Sequence, residues 1–153
     1  MRVYLPATTA ILADLARTGE LGPAPLRGYA VTEAVRKAYD ESDEEELEYW
    51  ATCLAAEDSL RLLAAGAADT GPTAAPFAPR RVVIAAELAD GLLTAAAEPL
   101  GAVSLADPVP LTRVAAFHLD DPAFTVDPDD PEGAADQELL WYAAQELGDL
   151  LRP

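Results

Sequence analysis

One long helical segment constrains the fold of this chain more than any other feature of its sequence. Ser42 and Glu45 form the S-x-x-E pattern of a capping box, which predicts a helix that continues to about Ala65. Four consecutive acids lie in its first turn, where the helix dipole favours negative charge. Two apolar rows follow at helical spacing: Leu47, Trp50 and Leu54, and then Tyr49, Cys53, Ala56, Leu60 and Leu63. Such a wide stripe predicts a helix packed against a sheet and a neighbouring helix, with Trp50 and Cys53 buried.

Short strands are predicted before and after this helix. They cover residues 2–5, 29–31, 80–88, 101–105 and 114–119. The segment RRVVIAAEL at 80–88 is the strongest of them, because its apolar run is rich in β-branched residues, and it is expected at the centre of the sheet.

Further helices are predicted from caps and apolar spacing. Thr8 or Thr9 caps a helix through about Thr18, and Thr32 caps a brief one. Asp136 caps the last helix, whose buried face carries Leu140, Ala143, Leu147 and Leu151. This order of elements predicts an α+β fold, a two-layer sandwich in which three to four helices cover a mixed β-sheet of about four to five short strands.

The chain is expected to form a single domain over residues 1–153, with flexible loops at about 66–79 and 120–136. Cys53 is its only cysteine, so no internal disulfide can form, which is typical of a reducing compartment. No stretch approaches the ~18 apolar residues of a membrane-spanning helix. The expected location is therefore the cytoplasm, without membrane contact.

Acidic residues are concentrated in two stretches. The formal net charge is −17, and residues 40–48 hold seven acids while residues 120–138 hold eight, with no Lys or Arg in either. Such runs are most often solvated surfaces that keep a protein soluble. The alternatives are a docking surface for a basic partner protein or a mimic of nucleic-acid charge. Direct nucleic-acid binding is not expected, because phosphate contacts need clusters of Lys and Arg.

His118 is the only histidine, so any mechanism that needs an imidazole must use it. Strand alternation places Ala115, Phe117 and Leu119 on one face and Val114, Ala116 and His118 on the other. Asp120 then shares the face of His118, and the two are candidate catalytic residues as a general base and its carboxylate partner. A histidine at the end of a strand is more often structural, and no partner nucleophile is identifiable.

The acidic loop contains candidate metal ligands. Asp127, Asp129, Asp130 and Glu132 carry the hard oxygen atoms that calcium prefers. The loop departs from the EF-hand pattern, because Pro131 takes the fifth position and Gly133 the seventh. A dedicated metal site and a bound cofactor are therefore not expected.

Two other groups of residues are candidates for binding. Trp141 and Tyr142 adjoin each other on the predicted last helix, with Glu138 and Gln145 nearby, so one aromatic ring should leave the buried face and line a groove or an interface. Packing of both rings across the edge of the sheet is the structural alternative. The hydroxyls of Thr8 and Thr9 are candidates for holding a small anion at the start of the first helix.

Several segments together resemble a family of uncharacterised small actinobacterial proteins, a domain of unknown function. The segments are MRVYLPAT, YAVTEAVRKAY, DEEELEY, SLRLLA, RRVVIAAEL, PLTRVAAFHLDDP and ELLWYAAQEL. The resemblance covers nearly the whole chain outside the loops 66–79 and 120–136. It implies one domain in a bacterial cytoplasm, and it brings no activity, cofactor or catalytic residue.

The function is therefore unknown from the sequence, and two hypotheses remain. The first is a non-enzymatic interaction or regulatory module that uses its acidic surface or the Trp141–Tyr142 region to contact a protein partner, with a homodimer left open. The alternative is a small-molecule- or metal-dependent enzyme, or a ligand-binding protein, organised around His118 and Asp120. The alternative requires a concave pocket in which His118 meets a carboxylate and a polar partner, whereas an exposed position on a convex strand end would contradict it.

Overall fold

A computed structural model describes residues 1–66 and 79–152 of the chain. The strands are β1 (Arg2–Ala7), β2 (Glu20–Leu21), β3 (Leu26–Ala30), β4 (Val82–Glu87), β5 (Leu93–Ala95), β6 (Ala102–Leu105), β7 (Val109–Pro110), β8 (Val114–Asp120) and β9 (Leu139–Ala143). The helices are α1 (Thr9–Thr18), α2 (Glu33–Ala38), α3 (Glu44–Gly66), α4 (Pro131–Ala135) and α5 (Leu147–Leu150), with 3₁₀ turns at Asp90–Leu92, Leu111–Arg113 and Ala144–Glu146. The predicted α+β class is confirmed.

Seven strands form the main sheet, in the order β5-β6-β3-β1-β4-β8-β9, while β2 and β7 form a separate two-stranded ribbon. Every pairing in the described part of this sheet is antiparallel. The predictions of four to five strands and of a mixed sheet were therefore wrong. The strand over 80–88 is confirmed as an interior strand, because β4 lies between β1 and β8.

The predicted last helix is wrong over most of its length. Residues 139–143 form β9 at the edge of the sheet, and only Leu147–Leu150 form a helix. A short apolar run such as LLWYA fits a strand and a helix turn equally well by spacing alone. Pairing with all five residues of β8 from Ala116 to Asp120 decides the outcome.

Helices cover both faces of the sheet, so the fold has three layers and not the predicted two. One face, which we call the aliphatic face, presents Leu5, Ile84 and Phe117 to α1 and α5. The other, which we call the alanine face, presents Ala85 and Ala116 to α3. The core clusters against the aliphatic face include Leu12, Leu15 and Leu147, and those against the alanine face include Ala51, Ala55 and Ala56.

The first helix begins and ends as predicted. The Thr8 hydroxyl accepts a hydrogen bond from the backbone N–H of Ile11 at 3.2 Å, which caps α1. Gly19 ends it at φ 80°, a left-handed conformation that favours glycine. The Thr32 hydroxyl caps α2 in the same way, accepting from the N–H of Val35 at 3.3 Å.

The long helix α3 starts one residue later than its predicted cap implies. The carboxylate of Asp43, and not the hydroxyl of Ser42, accepts the N–H of Glu46 at 2.8 Å. Tyr49 and Cys53 are exposed, which corrects the second predicted row and the expectation that Cys53 is buried. The buried row consists of Leu47, Ala51, Ala55, Ala56, Ser59 and Leu60.

Small side chains form this row because α3 lies directly on the sheet. The Ser59 hydroxyl donates to the carbonyl of Ala7 at 2.7 Å and accepts the N–H of Val82 at 2.9 Å. It thereby joins α3 to the end of the β1–β4 ladder, where Ala7 is paired with Val82. Trp50 is half-buried against the Tyr39 ring, at 5.9 Å between ring centroids, which agrees with its predicted role in packing.

A β-bulge changes the predicted alternation in β8. Ala85 pairs with Ala116 while Ala86 pairs with Val114, so Ala115 is an extra residue. Val114 therefore packs with Phe117 on the aliphatic face instead of facing the other way. The alternation from Ala116 onwards follows the prediction.

Most of the predicted loop 66–79 lies outside the described residues. The second predicted loop, 120–136, contains α4, whose N-cap is Asp130. Within residues 1–66 and 79–152, no helix is both long and apolar enough to cross a membrane.

Candidate ligand-binding groove

A groove of about 780 Å³ opens beside α3, on the alanine face of the sheet. We call it the α3 groove. Its walls are α3 on one side and the segment that contains α4 on the other, and its floor is formed by β1, β8 and the start of β9. The residues that line it are Tyr4, Glu45, Glu48, Tyr49, Thr52, Cys53, Ala56, Glu57, Leu60, Arg61, Ala64, Arg81, His118, Pro128, Pro131, Glu132, Ala135, Gln137, Glu138 and Leu139.

Two aromatic side chains form the floor of the groove. The rings of Tyr4 and His118 lie 6.4 Å apart between centroids, tilted by 58°. Burial, followed by the charge of Arg2, lowers the pKa of His118 below its ordinary 6.5. Burial, followed by the Glu48 carboxylate, raises the pKa of Tyr4 to about 12. Both side chains are therefore uncharged at neutral pH.

Asp120 is not a hydrogen-bond partner of His118, which corrects the predicted pair. Its fully buried carboxylate accepts hydrogen bonds from Arg81, from the backbone N–H at 2.8 Å and from the guanidinium Nη2 at 2.6 Å. Arg81 Nη2 also donates to the carbonyl of Gln137 at 3.0 Å. The pair thus ties the end of β8 to the chain that enters β9. Asp120 has a structural role, because its lone pairs are already used.

The walls of the groove carry an excess of negative charge. Five of its lining residues are glutamates: Glu45, Glu48, Glu57, Glu132 and Glu138. Its two lining arginines are each paired with an aspartate, Arg61 with Asp58 and Arg81 with Asp120. The glutamates therefore set the sign of the electrostatic potential in the groove.

Cys53 lies on the α3 wall. Partial desolvation against the wall and the carboxylate of Glu57 raise the pKa of the Cys53 thiol, although a hydrogen bond with Tyr49 opposes them. The thiol is therefore protonated at neutral pH, and a protonated thiol is a poor nucleophile and a poor metal ligand.

Trp141 and Tyr142 point to opposite faces, because they are neighbours on a strand and not on a helix. Tyr142 packs against the aliphatic core. Trp141 pairs with His118 across β8 and β9, so it lies on the groove side of the sheet, 62% exposed. Glu138 lines the groove just before β9, whereas Gln145 belongs to the 3₁₀ turn after it.

The remaining candidates lie elsewhere or make local bonds. Thr8 caps α1 and Thr9 is buried, and neither lines the groove.

In the acidic loop, Asp127 Oδ1 accepts the N–H of Asp129 at 2.9 Å, and Asp130 Oδ1 accepts the N–H of Gly133 at 3.1 Å. Glu132 lines the groove. Among the described residues no three or more His, Cys, Asp or Glu side chains are grouped so as to hold a metal ion.

Sequence reasoning missed Tyr4, Tyr49 and Arg81 as groove residues. Tyr4 and His118 are 114 positions apart in the chain, and only the pairing of β1, β4 and β8 brings their rings together. The exposure of Tyr49 could have been predicted from the sequence, because the residues beside it on α3 are acidic and acidic side chains are not expected in a buried row.

A family model matches residues 1–151, and its description is a family of unknown function, DUF6912. The chain belongs to this family. The predicted resemblance to a domain of unknown function is thereby confirmed, and the match covers every residue that lines the groove. Comparisons with curated proteins and with solved structures find no match. Membership of DUF6912 assigns no activity, so the function has to be argued from the groove.

Proposed function

We propose that this protein is a non-enzymatic binding module that takes up a cationic ligand in the α3 groove. The observation that carries the proposal is the lining of the groove, where five glutamates face two arginines that are already paired. A cation that enters the groove is attracted by carboxylates on both walls that have no basic partner. An anion would need an unpaired basic group to bind, and both arginines that line the groove are already paired.

The floor of the groove supports a ligand that is apolar along part of its length. Tyr4 and His118 are uncharged, and Leu60 and Leu139 add aliphatic surface. Tyr49 is 61% exposed on the wall, where its ring face can attract a cation. A lysine-like group, which joins an aliphatic stem to a charged head, matches both features.

The enzyme alternative meets one of its requirements. His118 lies in a concave site beside Tyr4, as a general base would need. Its expected carboxylate partner is already engaged, because Asp120 accepts hydrogen bonds from Arg81. Binding without catalysis is therefore favoured over a histidine-based reaction.

Neutralising the glutamates of the groove tests the proposal. The probe is a tetralysine peptide with blocked ends, and calorimetry at ~0.1 M salt measures its affinity. We expect the triple variant Glu45→Gln, Glu48→Gln and Glu138→Gln to bind about tenfold more weakly, because three carboxylates leave the groove.

The matched control carries Glu20→Gln, Glu33→Gln and Glu98→Gln, which are exposed outside the groove and change the net charge equally. We expect the control to bind within about twofold of the unmodified protein at ~0.1 M salt, because distant exposed charges are screened. An equal loss of affinity in both variants would mean that only the net charge attracts the peptide, and the proposal would fail.

A further inference from the structure

β9 leaves one edge of the seven-stranded sheet open. It is the last strand in the order, and no other strand pairs with its outer side in the described part of the chain. Its sequence LLWYA contains no charged residue, glycine or proline. Natural edge strands usually carry such residues, because an unprotected edge is a template for pairing with another chain.

The direction of the backbone groups follows from the hydrogen bonds around β9. The N–H of Ala143 donates to Glu146 Oε2 at 2.6 Å, so it points away from β8. In an antiparallel pair, alternate residues point their N–H and C=O to the same side. Leu139 and Trp141 therefore present their backbone groups to the open edge, while Leu140 and Tyr142 pair with β8.

The hydrogen bonds on the opposite side of β8 independently give the same assignment of outward-pointing residues in β9. The N–H of Asp120 donates to the carbonyl of Arg81 at 3.2 Å, so Asp120 points towards β4. Asp120 is opposite Leu139 in the β8–β9 register. Leu139 thus belongs to a pair that is not hydrogen-bonded across β8 and β9, and its donor and acceptor are left for an incoming strand.

The open edge adjoins the α3 groove. Leu139 lines the groove, and Trp141 lies on the same side of β9 with its ring largely in solvent. A strand added beside β9 would lie about 4.8 Å from it, and every second side chain would point to the groove side. Those side chains would meet Trp141 and the carboxylate of Glu138.

We infer that the ligand of the α3 groove is an extended basic peptide that adds to the sheet as a strand beside β9, an inference that rests on the proposed function. Charge complementarity selects this occupant. A second copy of the chain, with its net charge of −17, would bring two glutamate-lined grooves together across the new pairing. Basic side chains on alternate positions of a peptide would instead face Glu138 and stack on the Trp141 ring.

N-methylation of the peptide backbone tests strand pairing, because it removes N–H donors and leaves the charge of the peptide unchanged. The probe is a ten-residue peptide that alternates lysine with valine, and it is compared with two forms that are N-methylated on either all lysines or all valines. Only one edge of the added strand faces β9. In antiparallel addition, which is the geometry of every described pairing in this sheet, that edge carries the N–H groups of the lysines, because their side chains share the face of Leu139 and Trp141. We therefore expect the lysine-methylated form to bind about tenfold or more weakly, and the valine-methylated form to bind like the parent peptide.

A substitution in the protein provides the reciprocal test. Trp141→Pro removes an outward N–H while the pairing of β8 with Leu140 and Tyr142 is retained, and proline is tolerated in edge strands at such positions. We expect this variant to bind the alternating peptide about tenfold more weakly, and Trp141→Phe to lose less. Thermal unfolding identifies a variant that has not folded, and in that case the two methylated peptides on the unmodified protein decide.

The outcomes distinguish the two proposals. If both methylated peptides bind like the parent, strand addition is overturned while cation binding in the groove stands. If neither the tetralysine nor the alternating peptide binds, both proposals fail. If sedimentation shows a dimer that Trp141→Pro dissociates, the edge is occupied by a second copy and the peptide inference is wrong.

Discussion

The two faces of the seven-stranded sheet are covered by helices of opposite character. On the aliphatic face, α1 inserts Leu12 and Leu15 among large side chains such as Phe117, and these residues are fully buried. On the alanine face, α3 meets the sheet through residues such as Ala51 and Ala55. The α3 groove, the larger of the two cavities described, lies on the second face.

The difference between the two faces shows how side-chain size produces the groove. Small side chains let α3 lie close to β1, β3 and β4, with the Ser59 hydroxyl reaching the backbone of two strands. The sheet continues past α3 to β8 and β9, where no comparable helix covers it in the described part of the chain. The uncovered strip, walled by α3 and the α4 segment, is the floor on which His118 lies.

The largest effect is expected for a cavity on the aliphatic face. Phe117→Ala should lower the free energy of unfolding by about 3–5 kcal/mol, because a fully buried ring is replaced by an empty space. Urea denaturation measures it. His118→Ala, one residue along and on the groove side, should cost less than about 1 kcal/mol, because the side chain is only half-buried in a groove that water can refill. Equal costs would remove the contrast between the faces.

A smaller effect is expected from filling the alanine face. Ala55→Leu should lower the free energy of unfolding by about 1–3 kcal/mol, because the close approach of α3 leaves no room for a branched side chain. The control is Ala65→Leu at an exposed position of the same helix, which should be nearly neutral. A neutral Ala55→Leu variant, measured by the same urea titration, would show that α3 does not depend on small residues.

The smallest effect is a pH dependence confined to the groove. The pKa of His118 is lowered in the folded protein, so below its ordinary 6.5 the unfolded chain binds the proton more readily. Stability contributed by the neutral imidazole is complete above pH 6.5 and is lost as the pH falls below it.

His118→Asn should therefore lose less stability than the unmodified protein between pH 7.5 and pH 5.5, a window measured by urea denaturation at both values. Parallel losses in the two proteins would mean that carboxylates elsewhere cause the change.

Local chemistry accounts for the elements that were predicted correctly. The hydroxyls of Thr8 and Thr32 cap their helices through bonds that span three residues, and Gly19 ends α1 through its own backbone conformation. The apolar run in β4 predicts an interior strand because such a run can only be buried on both faces. The acidic composition likewise follows from the sequence alone.

The errors arise where long-range pairing outweighs local pattern. The segment LLWYA forms β9 because it pairs with β8. The bulge at Ala115 places Val114 on the aliphatic face. Cys53 matched an apolar row by spacing, but the sheet lies against the neighbouring alanines of α3.

The sequence by itself determined the α+β class, the caps, the interior strand and the excess of acidic residues, since these depend on neighbours a few positions apart. Only the tertiary structure decided that Asp120 bonds to Arg81 and not to His118, and that Tyr4 and His118 share the floor of one groove. The physical reason is that hydrogen bonds and packing between distant strands are satisfied by whichever groups the sheet register brings within reach. That register is a property of the whole sheet and cannot be read from any single segment.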